Sequence, residues 1–333
     1  MRSKLMLTAV AAFVPAAIAF AAATGYHIVG EIQIGGEGGW DYLTVDSAAR
    51  RLYVSHATHV VVVDVDSNKV VGDIADTPGV HGIAIAPESS RGFVSNGRGN
   101  NVTIFDLKTL KTDGTVATGE NPDSIRYDSV SGRVFAFNGR SKNATAIDAK
   151  SGTVAATIPL PGKPEFSVAD GKGHVYVNIE DTNEIVEIDA AKATVLKKYS
   201  LSPCDGPSGL AIDVKTRRLF SACSNRVMAI SDPDAGKVVA TPAIGAGSDG
   251  AAFDPGTGYA FSSNGDGTLT IVQQTGGKWD VLENIATERG ARTIAVDEKT
   301  HKVYLPTAKT APSASGGRAT FLPNTFKVLI VGK

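Results

Sequence analysis

The sequence predicts an all-β fold: a seven-bladed β-propeller of four-stranded blades, closed by an N-terminal strand that completes the last blade. Three observations carry this expectation. One pattern recurs seven times along 333 residues: an alternating apolar strand ending near Asp, a short turn, and an aromatic-centred strand ending in a small polar residue. The position of Asp46 recurs at Ala86, Asp128, Asp170, Asp213, Asp254 and Asp297, a period of about 40 to 43 residues. Finally, the last repeat stops one strand short of a full blade, while residues 27–34 (HIVGEIQI) stand unassigned before the first. Pairing the two leaves no open ring.

The elements follow in order. Arg2 and Lys4 precede an apolar run and the small-residue motifs Ala17-Ile18-Ala19 and Ala21-Ala22-Ala23. This reads as a signal peptide over residues 1–23, with a mature chain beginning near Phe20 or Thr24. The alternative is a retained anchor, but the run is short for a membrane span. Residues 24–333 form the single propeller domain. In its first blade, strand A is 42–46, B is 51–55, C is 60–65 and D is 69–74. Strand C recurs at 102–107, 144–149, 185–190, 227–232, 269–272 and 326–331. β-Branched residues alternating between Gly, Asp and Asn turns are the pattern of half-buried strands. The B–C connection of the last blade, about 308–324, is long and rich in Ala, Ser, Gly and Pro. Loops of that length are commonly functional, and a lid is one reading of it.

Composition narrows the function. The net charge is −1, so no basic excess suggests nucleic acid. The two cysteines, Cys204 and Cys223, fall on one face of blade five. An exported protein allows a disulfide between them; a copper-binding pair is the alternative. There is no CxxCH haem motif, no Gly-x-Ser-x-Gly elbow and no Walker motif.

The B-strand ends Tyr53-Val54-Ser55-His56, Phe93-Val94-Ser95-Asn96 and Tyr176-Val177-Asn178 resemble the YVTN repeat. The turn Asp148-Ala149-Lys150-Ser151-Gly152-Thr153-Val154 extends the likeness. The mature chain thus resembles the YncE-like, YVTN-family seven-bladed propellers. Copies five to seven depart from the tetrapeptide, as in Phe220-Ser221-Ala222-Cys223. The resemblance implies the fold. It leaves function open, because related propellers include lactonases and redox-enzyme subunits.

Chemistry is expected where the copies diverge. Five residues before the Asp46-type position stand Asp41, His81, Asp123, Glu165, Ser208, Asp249 and Arg292. Strand A lines a propeller's channel, so these residues form a polar ring at its mouth. Trp40 adds a stacking wall. A second ring, where strand B ends, holds His56, Asn96, Asn138 and Asn264, flanked by Arg98, Arg140 and Asn178. Asp41, His81, Asp123 and Asp249 are candidate ligands for a divalent ion such as Ca²⁺, Mn²⁺ or Zn²⁺, since carboxylates and imidazole suit such ions. The first reading is a periplasmic or secreted, monomeric binding propeller that takes a small molecule, a metal or a partner protein at its channel face. The alternative is a metal-dependent lactonase or gluconolactonase-like hydrolase that uses the same ring.

Overall fold

A computed structural model describes residues 24–311 and 320–333. The expected signal peptide, residues 1–23, and the middle of the long connection lie outside the described residues. Seven four-stranded antiparallel sheets are arranged in a ring. Their inner strands are Leu43–Asp46, Val80–Ala86, Pro122–Asp128, Pro164–Ala169, Pro207–Asp213, Ser248–Asp254 and Ala295–Asp297. The last blade runs Ala295–Asp297, Lys302–Thr307, Lys327–Gly332 and then His27–Gln33. His27 pairs with Gly332 and Gln33 with Lys327, so the first strand of the described chain closes the final blade.

Each aromatic at the centre of a B strand is buried between blades: Tyr53, Phe93, Phe135, Tyr176, Phe220, Phe261 and Tyr304. The apolar core is correspondingly a series of inter-blade clusters. The outer strands, such as Lys69–Ile74 and Thr153–Pro159, alternate mainly exposed positions and carry the solvent face.

Polar side chains fix the turns and join the blades. The recurrent Asp folds the A–B turn by accepting backbone N–H bonds, as Asp46 does from Ala48 and Ala49, and Asp213 from Lys215 and Thr216. Blade two carries Ala86 instead, and its turn is a short 3-10 segment, Pro87–Ser89. Some of these carboxylates also bind the next blade. Arg50 reaches Asp297 at 2.8 Å, Arg217 reaches Asp170 at 3.2 Å, and His301 reaches Asp254 at 2.9 Å. Cys204 and Cys223 form a disulfide with a Cα–Cα distance of 5.5 Å.

Two details differ from the sequence expectation. Most C strands begin a residue earlier, at His59, Asn101, Asn143, Glu184 and Thr268, because that residue pairs with the last residue of strand B. The long connection is also not wholly irregular: Thr310–Ala311 pairs with Thr320–Phe321. No helix among the described residues is long and apolar enough to cross a membrane.

Candidate functional site

The polar ring sits where strand A departs from regular pairing. The A–B register shifts between Val80 and Ile83, Pro122 and Ile125, Pro164 and Ser167, Pro207 and Leu210, and Ser248 and Gly250. These breaks contain His81, Asp123, Glu165, Ser208 and Asp249. A bulge re-aims the side chain it carries, and bulges gather beside functional sites. In blades one and seven, Asp41 and Arg292 stand just before the paired strand begins.

Hydrogen bonds between blades hold the ring's backbone. Ser95 donates to the Asp123 carbonyl, Asn178 to that of Ser208, Ser263 to that of Arg292, and Thr293 to that of Asp41. The Tyr42 amide donates to the His81 carbonyl. Five of the seven ring residues therefore rest on a polar hoop bonded from the neighbouring blade. In the sequence Ser95 stands only within the repeat signature, and Asn178 only as a flank of the second ring. Their recurrence one residue before the B-strand end was the available signal.

The mouth encloses about 800 Å³ and is walled by Trp40, Asp41, Asp123, Glu165, Asp249 and Arg292, among others. Two of these walls, Asp41 and Asp123, converge with the neighbouring His81, with one ligand atom from each lying within 4.8 Å of the other two. His81 Nδ1 donates to Asp41 Oδ2 at 2.5 Å and stands 3.7 Å from Asp123 Oδ1. Asp123 Oδ1 is buried without a hydrogen-bond partner. Asp249, the fourth expected ligand, is not in this cluster. Arg292 Nε holds its carboxylate at 2.6 Å, because the two side chains stand on adjacent blades. Glu165 bonds Lys163 at 2.6 Å, and the same ammonium reaches Glu180. Lys163 lies outside the ring position, and sequence reading did not select it.

Crowding of carboxylates sets the protonation. Five of them, Asp41, Asp123, Glu165, Glu180 and Asp249, share the mouth with Lys163 and Arg292 as the fixed cations among the described residues. Burial pushes Asp41 up, partly offset by its bond to His81. Burial, aided by the charge of Asp41, raises Asp123 to about 6. Burial and the charge of Asp123 raise Glu165 to about 8, even against Lys163. Burial opposes charge on His81, but its bond to Asp41 and the field of Asp123 prevail and raise it to about 9. The cluster thus holds protons at neutral pH that a bound cation would release.

A glycine seats the imidazole. A Cβ on Gly97 would lie 2.5 Å from His81 Nε2.

The structure places the second expected ring elsewhere. Asn96, Asn138 and Asn264 are fully buried and turn into their own blades. Their amides donate to Asn101 and Thr103, Asn143 and Thr145, and Thr268 and Thr270. Asn178 bridges blades four and five through Ser208, Gly209 and Ser221. His56 is buried, stacked on Phe326 at 4.4 Å beside His59, and desolvation lowers it to about 4. Period-two alternation explains the difference: the last residue of strand B projects from a face of its blade onto the strand-C side chains beside it, not into the channel. Arg98 and Arg140 are exposed and do not wall the mouth. Trp40 does wall it, packed against Phe321 at 4.7 Å and Phe326 at 5.2 Å.

Comparisons with known proteins bear on the fold. No family model matches the chain, and no curated protein matches it. Among solved structures, a chain of hydrazine synthase from Kuenenia stuttgartiensis superposes with a TM-score of 0.71. The match covers 86% of this chain and 96% of that one at 15% sequence identity. The class of protein so defined is the seven-bladed β-propeller.

Proposed function

We propose that this propeller is a binding protein that takes a divalent cation at its channel mouth, through Asp41, His81 and Asp123, together with a small polar ligand in the chamber around it. The observation that carries the reading is the convergence of the three ligand atoms within 4.8 Å, one of them a buried carboxylate oxygen with no partner. Two carboxylates and one imidazole suit Mn²⁺ or Zn²⁺ better than Ca²⁺, which takes six to eight oxygen ligands. Donors around an ion at about 2.1 Å lie more than 3 Å apart. The 2.5 Å contact between His81 and Asp41 therefore has to open as the proton between them leaves. The acidic mouth repels polyanions, which opposes a nucleic-acid role. The Cys204–Cys223 disulfide supports export to an oxidising compartment.

A second reading is metal-assisted hydrolysis of a lactone or related ester in the same chamber. Glu165 favours it: this carboxyl group stands outside the cation ligands and is poised at about 8, in the range useful for general acid–base work. A bound cation would supply polarisation of the ester carbonyl. Glu165 would move the proton, and Trp40 and Phe321 would exclude water from one wall.

Thermal denaturation of chelator-stripped protein with and without Mn²⁺ or Zn²⁺ tests the first reading. A rise in melting temperature that is lost in Asp123→Asn is expected. No response to either ion defeats it. Turnover of a γ- or δ-lactone that disappears in Glu165→Gln would add the second.

A further inference from the structure

The channel is divided. Tyr42 of blade one meets Phe166 of blade four edge to face, with ring centroids 4.8 Å apart. Among the described residues, Tyr42 alone walls both the acidic mouth and a second cavity of about 230 Å³ behind it. The second cavity is different in character. Its walls mix aliphatic Ile83, Val168 and Leu210 with Phe166 and polar Thr44 and Ser124, and it carries two charged residues, Arg126 and Glu298. It leads outward past Arg126 and Glu298 into a groove of about 760 Å³.

Arg126 has no counter-ion among the described residues. Its Nε donates to the Ser167 carbonyl at 3.0 Å, and its guanidinium lies 5.6 Å from the Phe166 centroid. Its two terminal nitrogens have no hydrogen-bond partner, and no carboxylate lies within salt-bridge distance, among the described residues. Glu298 walls the same cavity but forms no ion pair with it. Desolvation alone acts on Arg126 and lowers it to about 10, so it stays charged at neutral pH. Arg126 is half-buried, and a charge partly withdrawn from water is costly unless it is paired. An apolar side chain of similar length would fill this place more stably.

We propose that this inner chamber binds a small monocarboxylate, anchored by the Arg126 guanidinium and enclosed along its hydrocarbon body by the aliphatic inner strands. A planar guanidinium matches a carboxylate with two parallel hydrogen bonds. The volume falls below that of pockets for drug-sized ligands, which selects a short chain. Glu298 at the outer end repels a second negative charge, which selects a monoanion. The site is independent of the cation site: it lies behind Tyr42 and opens toward the opposite face.

Calorimetric and thermal-shift titration with sodium butyrate tests this, with butyramide as the neutral isostere at matched ionic strength. Saturable butyrate binding is expected, with no response to butyramide and at least a tenfold loss of affinity in Arg126→Met. The melting temperature of ligand-free Arg126→Met should equal or exceed that of the parent. Arg126→Lys should keep a weakened response, and it carries the test if the methionine variant does not fold. Absence of saturable butyrate binding overturns the proposal, as does equal binding in Arg126→Met. A lower melting temperature in Arg126→Met without any butyrate response would make Arg126 a structural bracket and overturn it as well.

Discussion

At the residue scale, the mouth is a set of groups held against their ordinary titration. Glu165 is raised to about 8, Asp123 to about 6 and His81 to about 9. A group whose folded pKa lies above its unfolded value stabilises below the unfolded value, and that contribution is lost as pH rises through the folded one. All three act in the same direction. The cation-free protein should therefore lose stability between about pH 5 and 9, and Glu165→Gln should flatten part of that slope. Melting temperature against pH, without and with Mn²⁺, measures this; a flat profile in the cation-free protein would contradict it. Cation binding displaces these protons, so affinity should rise across the same window. Gly97 acts at this scale too. Gly97→Ala sets a methyl against His81 Nε2 and should weaken Mn²⁺ binding by tenfold or more while the blade stays folded, as titration calorimetry and circular dichroism together would show. Unchanged Mn²⁺ affinity would exclude Gly97 as the seat of the imidazole.

At the scale of the element, the bulge at the start of strand A creates the site, and the B-strand hydroxyl fixes it. Ser95 accepts from the Gly82 amide and donates to the Asp123 carbonyl from a fully buried position. Ser95→Ala leaves both backbone groups unpaired and should cost about 1–3 kcal/mol in chemical denaturation. It should also loosen Asp123, so cation affinity should fall with stability. A neutral Ser95→Ala would show that the hoop carries no weight. Much at this scale was legible in the sequence. Aromatic-centred B strands and Asp turns are local patterns, and the unequal A-strand residues Asp41, His81 and Asp123 stood out because their neighbours agreed. The fate of Asn96, Asn138 and Asn264 was not legible. Whether a strand's last residue faces the channel or its neighbour depends on pleat and register, which a repeat alignment does not contain. Lys163 and Tyr42 were missed for a related reason: each reaches the mouth from beside the ring position, by the length and direction of its side chain.

For the whole molecule, closure joins the first described strand to the last blade. The strand His27–Gln33 pairs along Lys327–Gly332, Arg50 of blade one bonds Asp297 of blade seven, and Thr293 bonds the Asp41 carbonyl. Asp297 is fully buried; burial opposes its charge, but hydrogen bonds from Ser47, Thr300 and Arg50 hold it below the ordinary carboxylate range. Its contribution is present above the unfolded pKa of about 3.9 and lost as pH falls below it. Asp297→Asn should cost about 3 kcal/mol, the low end for breaking a buried pair, and should also loosen Asp41 through the same seam. Chemical denaturation gives the first quantity, and Mn²⁺ affinity the second. A stability change below about 0.5 kcal/mol would mean that the seam is not held there. The central claim is that the ring, once closed, forms one cation site from three consecutive blades. Titration calorimetry of Mn²⁺ into chelator-stripped protein at pH 6.5 and 8.5, with Asp123→Asn alongside, tests it most directly. One site per chain, tighter at pH 8.5 and absent in Asp123→Asn, is the predicted result; no binding at either pH, or binding indifferent to Asp123→Asn, would contradict it.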